Sequence, residues 1–377
     1  MLKQIKKHAL HLLCFIECML CNKKVRKDVA DSQSICFVRF DGIGDFILWL
    51  DSVPAFKSIY PDKKCTLICS TLIESIAKET NLFDEVISIN IKQYKNLDNY
   101  KYHKEVRAKL KGFRFDVLIN PTFSRNSYLN SIVSAIPAVE KVTVKGDPYC
   151  KFAKENKLTD RLYDRILDID VDLMELRKYE NIVRQLGAKD FKCGFTTLPK
   201  MSSTINVPKP YFVLQLGSSN SGKSWPAQRF AQISNYLCDK YKWHCCVIGL
   251  DKAFGKIFKD NFEGEYTDLI GKTTLLDMIH VIQESEMVIG DDSSGIHIAA
   301  FSKVNALAVA GNWEGNRFLP YDTDNNVLNN RIRVIRAKTD CALCHGRFTK
   351  GCNDSVAIGN ARNCINEVRI HDVIQSL

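Results

Sequence analysis

Short, nearly continuous apolar runs alternate with longer stretches of mixed polarity along most of this chain. Ile35–Phe40, Cys65–Cys69, Glu85–Ile89 and Asp116–Asn120 have the length and apolar content of buried strands. Asp45–Tyr60 has the character of a helix behind the first of them. The pattern pauses over Leu198–Pro210, a stretch containing Pro and Ser that reads as a linker, and then restarts. Tyr211–Leu216, His244–Gly249, Met287–Gly290 and Ala306–Ala310 supply a second series, and Pro226 suits the first turn of a helix running to about Lys240. Apolar strands separated by helices predict parallel sheets covered on both faces. Two such series in tandem predict an α/β protein with two Rossmann-like domains facing one another across a cleft. No fixed-period repeat interrupts this reading.

The length of 377 residues agrees with two domains. Hydrophobic residues at 45% and charged residues at 25% exclude a disordered or collagen-like chain. A net charge of +10 favours an anionic partner without choosing among membrane, acidic glycan, nucleotide and nucleic acid. The 15 cysteines are odd in number, and several sit in apolar runs, which points to free thiols in a reducing, cytoplasmic compartment. At the N-terminus, Lys3, Lys6 and Lys7 precede the apolar stretch His8–Cys21, and Lys23, Lys24, Arg26 and Lys27 follow it. That stretch is shorter than the ~20 residues that span a bilayer, and no clear small-residue cleavage site follows it. It reads as an amphipathic helix lying on an anionic leaflet, the alternative being a helix packed on the body of the protein.

Five segments carry candidate chemistry. Val288–Ala300 passes from an apolar run through Asp291, Asp292, Ser293, Ser294 and Gly295 into a helix-like stretch containing His297. A strand end feeding a helix N-terminus attracts phosphate oxygens, although an ordinary capped junction has the same composition. Arg39-Phe40-Asp41-Gly42-Ile43-Gly44-Asp45 joins the first strand to its helix. Ile47 replaces the third glycine of a dinucleotide fingerprint, which argues against an ordinary NAD site. Asp45 falls at the helix start, either as a base for a sugar hydroxyl or as a residue stabilised by the macrodipole. Gly217–Ser224 matches the Walker A pattern, yet Pro226 implies a helix that starts later than a P-loop permits. A P-loop phosphotransferase or NTPase and a solvated loop both remain open at this point. Asp168-Ile169-Asp170-Val171-Asp172 resembles an Asp-x-Asp metal motif but also suits a solvated strand end. Cys341, Cys344, Cys352 and Cys364 have ligand-like spacing for structural zinc, with buried thiols as the alternative.

Together these pieces occur in an order that resembles glycosyltransferase family 9, the bacterial lipopolysaccharide heptosyltransferases, over nearly the whole chain after residue 34. The likeness is carried by Val38–Asp45 with Leu50–Pro61, by Leu214–Phe230 with its Lys-x-Trp-Pro, and by Leu269–Thr273 leading into Gly290–Ala300. The resemblance implies GT-B architecture and inverting transfer of a sugar, with heptose from ADP-heptose as the leading donor. The acceptor would be a lipopolysaccharide-core or related lipid-linked anionic glycan at the cytoplasmic face of the inner membrane, with no nucleic-acid partner. It also assigns Lys223-Ser224-Trp225-Pro226 to a family block rather than to a P-loop. Asp45 is then the general base. Ser218, Ser219 and Lys223 would hold the diphosphate, and Thr273, Asp292, Ser293, Ser294, Gly295 and His297 the nucleotide sugar, with no catalytic metal or other cofactor required. A non-catalytic sugar-nucleotide-binding module is the remaining alternative. The implied organisation is a basic segment at 1–30, an acceptor domain at 31–205, and a nucleotide-sugar domain at 206–364 with a Cys-rich part at 341–364. A C-terminal helix at 365–377 would pack back on the first domain. Ser294 and Gly295 depart from the family's Asp-Ser-Gly order, and hydroxyls replace the common residues near Ser218 and Ser219, so the donor sugar stays open.

Overall fold

The computed structural model describes residues 2–21, 33–150, 152–218, 221–312, 315–337 and 363–377. The chain divides into two compact units. The first comprises Met1–Phe46, Ser52–Val171 and Lys178–Phe191; the second comprises Ile47–Asp51, Asp172–Arg177 and Lys192–Leu377.

In the first unit, β1 (Ser34–Arg39), β2 (Lys64–Ser70), β3 (Glu85–Ile89), β4 (Phe115–Asn120), β5 (Ala138–Val144) and β6 (Arg165–Leu167) form one parallel sheet in the order β3-β2-β1-β4-β5-β6. In the second, β7 (Tyr211–Leu216), β8 (His244–Gly249), β9 (Tyr266–Asp268), β10 (Met287–Asp291), β11 (Asn305–Val309) and β12 (Ile332–Ile335) are ordered β12-β11-β10-β7-β8-β9. Both orders are those of a doubly wound Rossmann sheet, and each reverses direction at one point. That point lies between β1 and β4 in the first unit and between β7 and β10 in the second, where Gly290 pairs with Gln215. Every residue of β1 and of β7 is buried, as expected for central strands covered on both faces.

Three expectations from the sequence are modified. Asp45–Tyr60 forms two helices, α2 (Ile43–Leu50) and α3 (Val53–Ile59), because Pro54 lacks the N–H needed inside one continuous helix and fits only a first turn. Between them, Asp51 accepts hydrogen bonds from the backbone N–H groups of Gly194, Phe195 (3.1 Å) and Thr196 (2.8 Å). The stretch read as a linker is laid along the second unit. Leu198 donates its N–H to the Phe301 carbonyl at 2.8 Å, and the Met201 N–H bonds Gln283 Oε1 at 2.8 Å. The closing segment, expected to return to the first domain, contributes Cys364, Ile365, Val368 and Val373 to the core that holds Trp225 and Phe230 in the second unit.

The N-terminal helix α1 (Leu2–Met19) packs on the helix Ser127–Ala135 of the first unit through Leu10, Cys14 and Cys18, all fully buried. Glu17 is anchored by the Ser131 hydroxyl (2.7 Å), His103 Nε2 (3.1 Å) and Arg107 Nε (3.1 Å). The expected alternative of a helix packed on the body therefore holds for one of its faces. Among the described residues, no helix is long and apolar enough to cross a membrane.

Candidate functional site

In open α/β sheets, ligands bind beyond the carboxyl ends of the strands, at the point where strand order reverses. In the first unit that point is built around Arg39, the last residue of β1. Its guanidinium is buried, yet Nη2 lies 3.1 Å from Asp41 Oδ2, 3.1 Å from the Tyr179 hydroxyl and 3.1 Å from the Asp45 carbonyl. Burial works against its charge, but Tyr179, Asp41 and Asp45 more than offset this and hold the group cationic. Asp41 in turn accepts a bond from the Thr122 hydroxyl (3.2 Å), beyond the end of β4. Asp45 lies in the first turn of α2 and is partly exposed. Gly42 gives its carboxylate room: a Cβ there would stand 3.2 Å from Asp45 Oδ2. The arrangement is a carboxylate at a helix N-terminus in the field of a buried cation.

In the second unit the rim of β7 and β10 collects most of the expected binding residues. Gly217 follows β7 at φ 81°, a backbone conformation that side-chain-bearing residues rarely adopt. Ser218 donates its N–H to Ser224 Oγ at 3.0 Å. Lys223 ends the single 3₁₀ turn Ser221–Lys223, and the following helix begins only at Ala227, with Pro226 as its N-cap. This is not a P-loop. In a P-loop the helix begins within the Gly-Lys-Ser run and the serine hydroxyl faces a metal, whereas here Ser224 Oγ is turned to Ser218. Ser219 lies outside the described residues, as do Cys341, Cys344 and Cys352, while Cys364 is buried in the second core.

On the β10 side, Ser294–Phe301 forms the helix foreseen after the acidic turn. Its first amides are engaged in a way the sequence did not show. Gln215 Oε1 accepts the Gly295 N–H and the Ser293 hydroxyl, each at 2.8 Å. A Cβ on residue 295 would stand 2.1 Å from that oxygen, so glycine is required there by close approach. His297 is buried, with Nδ1 2.7 Å from the Tyr321 hydroxyl and Nε2 3.9 Å from Asp292 Oδ1. Burial pushes its pKa down to about 4 against the opposing pull of Glu175, so the imidazole is neutral at physiological pH. Arg336, just beyond β12, also feels the Asp292 charge, while its guanidinium bonds the carbonyls of Gly315 and Leu319 at 2.6 Å each. Thr273 sits partly exposed one residue before the Thr274–Asp277 capping box, in the turn whose Gly271 N–H bonds the Gly249 carbonyl at the end of β8.

Sequence reasoning passed over Asp291, Gln215, Arg39 and Arg336. Asp291 is fully buried at the end of β10. One oxygen accepts the Trp225 N–H at 2.8 Å; the other makes no hydrogen bond with the described residues. Burial first, and the Asp292 charge in addition, raise its pKa to about 8, although the Trp225 N–H and the Ser224 hydroxyl pull the other way. The signal was present: a single polar residue inside the apolar run Tyr211–Leu216, and a second acid where one suffices to end β10.

Two other candidates carry no binding geometry. Asp168 and Asp170 are exposed beyond β6, with Lys145 3.3 Å from Asp168, as a solvated strand end predicts. Cys14, Glu17 and His103 bring a thiol, a carboxylate and an imidazole within 4.8 Å of one another. Burial pushes the Cys14 thiol up to about 12, and the Arg107 cation already occupies Glu17, so the group is an ion-pair network rather than a metal cage. A hollow of about 390 Å³ lined by Trp243, His244 and Phe262 lies at the amino end of β8, opposite the rim that carries the chemistry.

Comparison with known proteins agrees with this geometry. A family model described as glycosyltransferase family 9 (heptosyltransferase) matches residues 148–345, more than half of the chain. The lipopolysaccharide core heptosyltransferase OpsX of Haemophilus influenzae is 20% identical over 304 residues, covering 78% of this chain and 84% of its own. Among solved structures, a glycosyl transferase family 9 protein from Veillonella parvula superposes with a TM-score of 0.71 at 16% identity, covering 91% of this chain and 96% of its own. ADP-heptose lipopolysaccharide heptosyltransferase II of E. coli gives a TM-score of 0.63 at 15% identity, with the same two coverages of 91% and 96%. At these identities the structural likeness establishes the fold.

Proposed function

The chain belongs to glycosyltransferase family 9 and is a glycosyltransferase, and from that premise we propose that it transfers a heptose from ADP-heptose, with inversion, to a lipopolysaccharide-core or related lipid-linked glycan. The names of the relatives support the donor. The reaction is one displacement. The acceptor hydroxyl oxygen bonds to the anomeric carbon, its proton passes to the Asp45 carboxylate, and the bond from that carbon to the ADP oxygen breaks. Arg39 keeps a fixed positive charge behind Asp45, which positions the base. Lys223 and the hydroxyls of Ser218 and Ser219 take up the charge of the departing diphosphate. Asp292, Ser293, Ser294, Gly295 and His297 shape the nucleotide-sugar side, with His297 acting as a neutral hydrogen-bonding group. Thr273 adds a hydroxyl on the same rim. The acceptor's lipid places this work at the cytoplasmic face of the inner membrane, and the net charge of +10 suits an anionic glycan and anionic lipid.

The observation that carries the reading is Asp45 in the first turn of α2, its carbonyl held by buried Arg39 at 3.1 Å and its charge acting on that guanidinium, at a reversal point of strand order. Asp45→Ala should lower turnover by roughly 10²–10⁴-fold, the usual size of a lost acid–base contribution, while donor affinity by calorimetry stays nearly intact. A variant with full turnover would remove Asp45 from the mechanism. A screen of nucleotide sugars by thermal shift should single out ADP-heptose, because a selective ligand stabilises the folded state by mass action. Release of the γ-phosphate from ATP, if observed, would support the phosphotransferase alternative instead.

A further inference from the structure

The segment 315–321 follows β11 in the second unit and is anchored on both sides of one aromatic ring. Arg336 bonds the Gly315 and Leu319 carbonyls at 2.6 Å each, and the Glu175 N–H bonds the Arg317 carbonyl at 2.7 Å. Leu319 is fully buried and Tyr321 nearly so, its hydroxyl 2.7 Å from His297 Nδ1. Phe318 lies between these anchors and stays partly exposed. Its ring centroid is 6.3 Å from that of buried His297. The Arg317 guanidinium lies over the ring at 4.7 Å and is fixed in turn by Glu175 Oε2 at 3.0 Å. Such a ring is held in place before any ligand arrives, so little freedom is left for it to lose on binding.

Position along the rim bears on the occupant. Thr273 stands in the turn bonded to the end of β8, Ser218 and Lys223 follow β7, Asp292–Gly295 follows β10, and Phe318 follows β11, the next strand in the sheet. A nucleotide sugar laid across these strands, with its diphosphate at Lys223 and at the helix that begins at Ser294, extends its nucleoside to one side and its sugar to the other. On the β11 side the polar groups are the neutral imidazole of His297 and the Asp292 carboxylate 3.9 Å from it. Neither suits a phosphate, and both suit hydroxyls. A pyranose offers hydroxyls at its edge and C–H bonds on its face, and a few polar groups beside an aromatic ring match both.

We propose that Phe318 is the platform for the transferred sugar, its ring covering the C–H face of the pyranose while Asp292 and His297 take hydroxyls. The assignment rests on the reading of a nucleotide-sugar donor. It adds a residue that selects for the sugar and not for the nucleotide.

Calorimetry on the full-length protein, with ADP-heptose and ADP as the two probes, tests this. Phe318→Ala should weaken ADP-heptose binding by roughly ten-fold, the worth of about 55 Å² of covered apolar surface, and leave ADP binding unchanged. Phe318→Tyr keeps the flat ring and should restore the affinity. Phe318→Leu keeps apolar bulk without the flat ring; it should show the loss too, and it carries the test if the alanine variant does not fold. A merely structural role would move both ligands or neither. Equal weakening of ADP and ADP-heptose, unchanged affinity for both, or a tyrosine variant as weak as alanine overturns the platform and leaves the transferase reading standing. Wild type that binds neither ligand removes the donor reading, and the platform with it.

Discussion

Replacing Asp291 with Asn tests the most unusual electrostatic feature of the second unit. The side chain is fully buried, its pKa is raised from an ordinary 3.8 to about 8, and its Oδ1 holds the Trp225 N–H next to Lys223. Asn keeps that acceptor and the shape but cannot ionise. The sign follows from proton binding. Between pH 4 and 8 the native state holds a proton at Asp291 that the unfolded chain has released, so native stability falls as pH rises through this window. The slope for one proton is about 1.4 kcal/mol per pH unit. From pH 5 to pH 7, wild type should therefore lose roughly 2–3 kcal/mol relative to Asp291→Asn, and the difference should level off above about pH 8. The free energy of exchange in peptides from β7 and β10, measured by hydrogen–deuterium exchange across that range, reads this directly. Donor affinity should follow, because an ionised Asp291 adds its charge to that of Asp292 and repels a diphosphate. Alkaline weakening of donor binding in wild type, absent in Asp291→Asn, is the matching outcome. Parallel stability curves for the two proteins from pH 5 to pH 8.5 would refute the buried, protonated carboxyl.

Two further substitutions follow from contacts in each unit. Gly295→Ala forces a Cβ to 2.1 Å from Gln215 Oε1 and breaks two hydrogen bonds. A loss of about 1–3 kcal/mol and weaker donor binding are expected. The double change with Gln215→Ala should recover part of the thermal stability, and a fully additive pair would contradict the clash. Glu17→Ala leaves His103 and Arg107 without their carboxylate in a partly buried site. A loss of about 3–5 kcal/mol is the usual scale for breaking such a network, visible as faster limited proteolysis of α1. Although burial opposes it, hydrogen bonds from His103 and Ser131 lower the Glu17 pKa. Its contribution in wild type should therefore be present above the ordinary carboxylate pKa and fade as pH falls through the lowered one.

Sequence alone determined the α/β class, because apolar strands of buried length alternating with helices admit few other solutions. It also located both strand-end turns and the acid at each, since residues at a strand–helix junction are neighbours in sequence as well as in space. It missed β5, whose interior Glu140 and Lys141 look like loop. Lys141 is nevertheless fully buried, its ammonium bonded to the Val133 carbonyl at 2.6 Å, a partner that only helix-on-sheet packing supplies. Gln215 and Asp291 stood out only as a polar residue in an apolar run and a second acid; their roles, like that of Arg39, lie in contacts across neighbouring elements that sequence does not show. Local pattern specifies which elements form and where they end. The fate of a polar group depends on desolvation and on partners far along the chain, which only the packed structure decides. That is why the ends of the strands were legible in advance, while the pKa of Asp291 and the engaged amide of Gly295 were not.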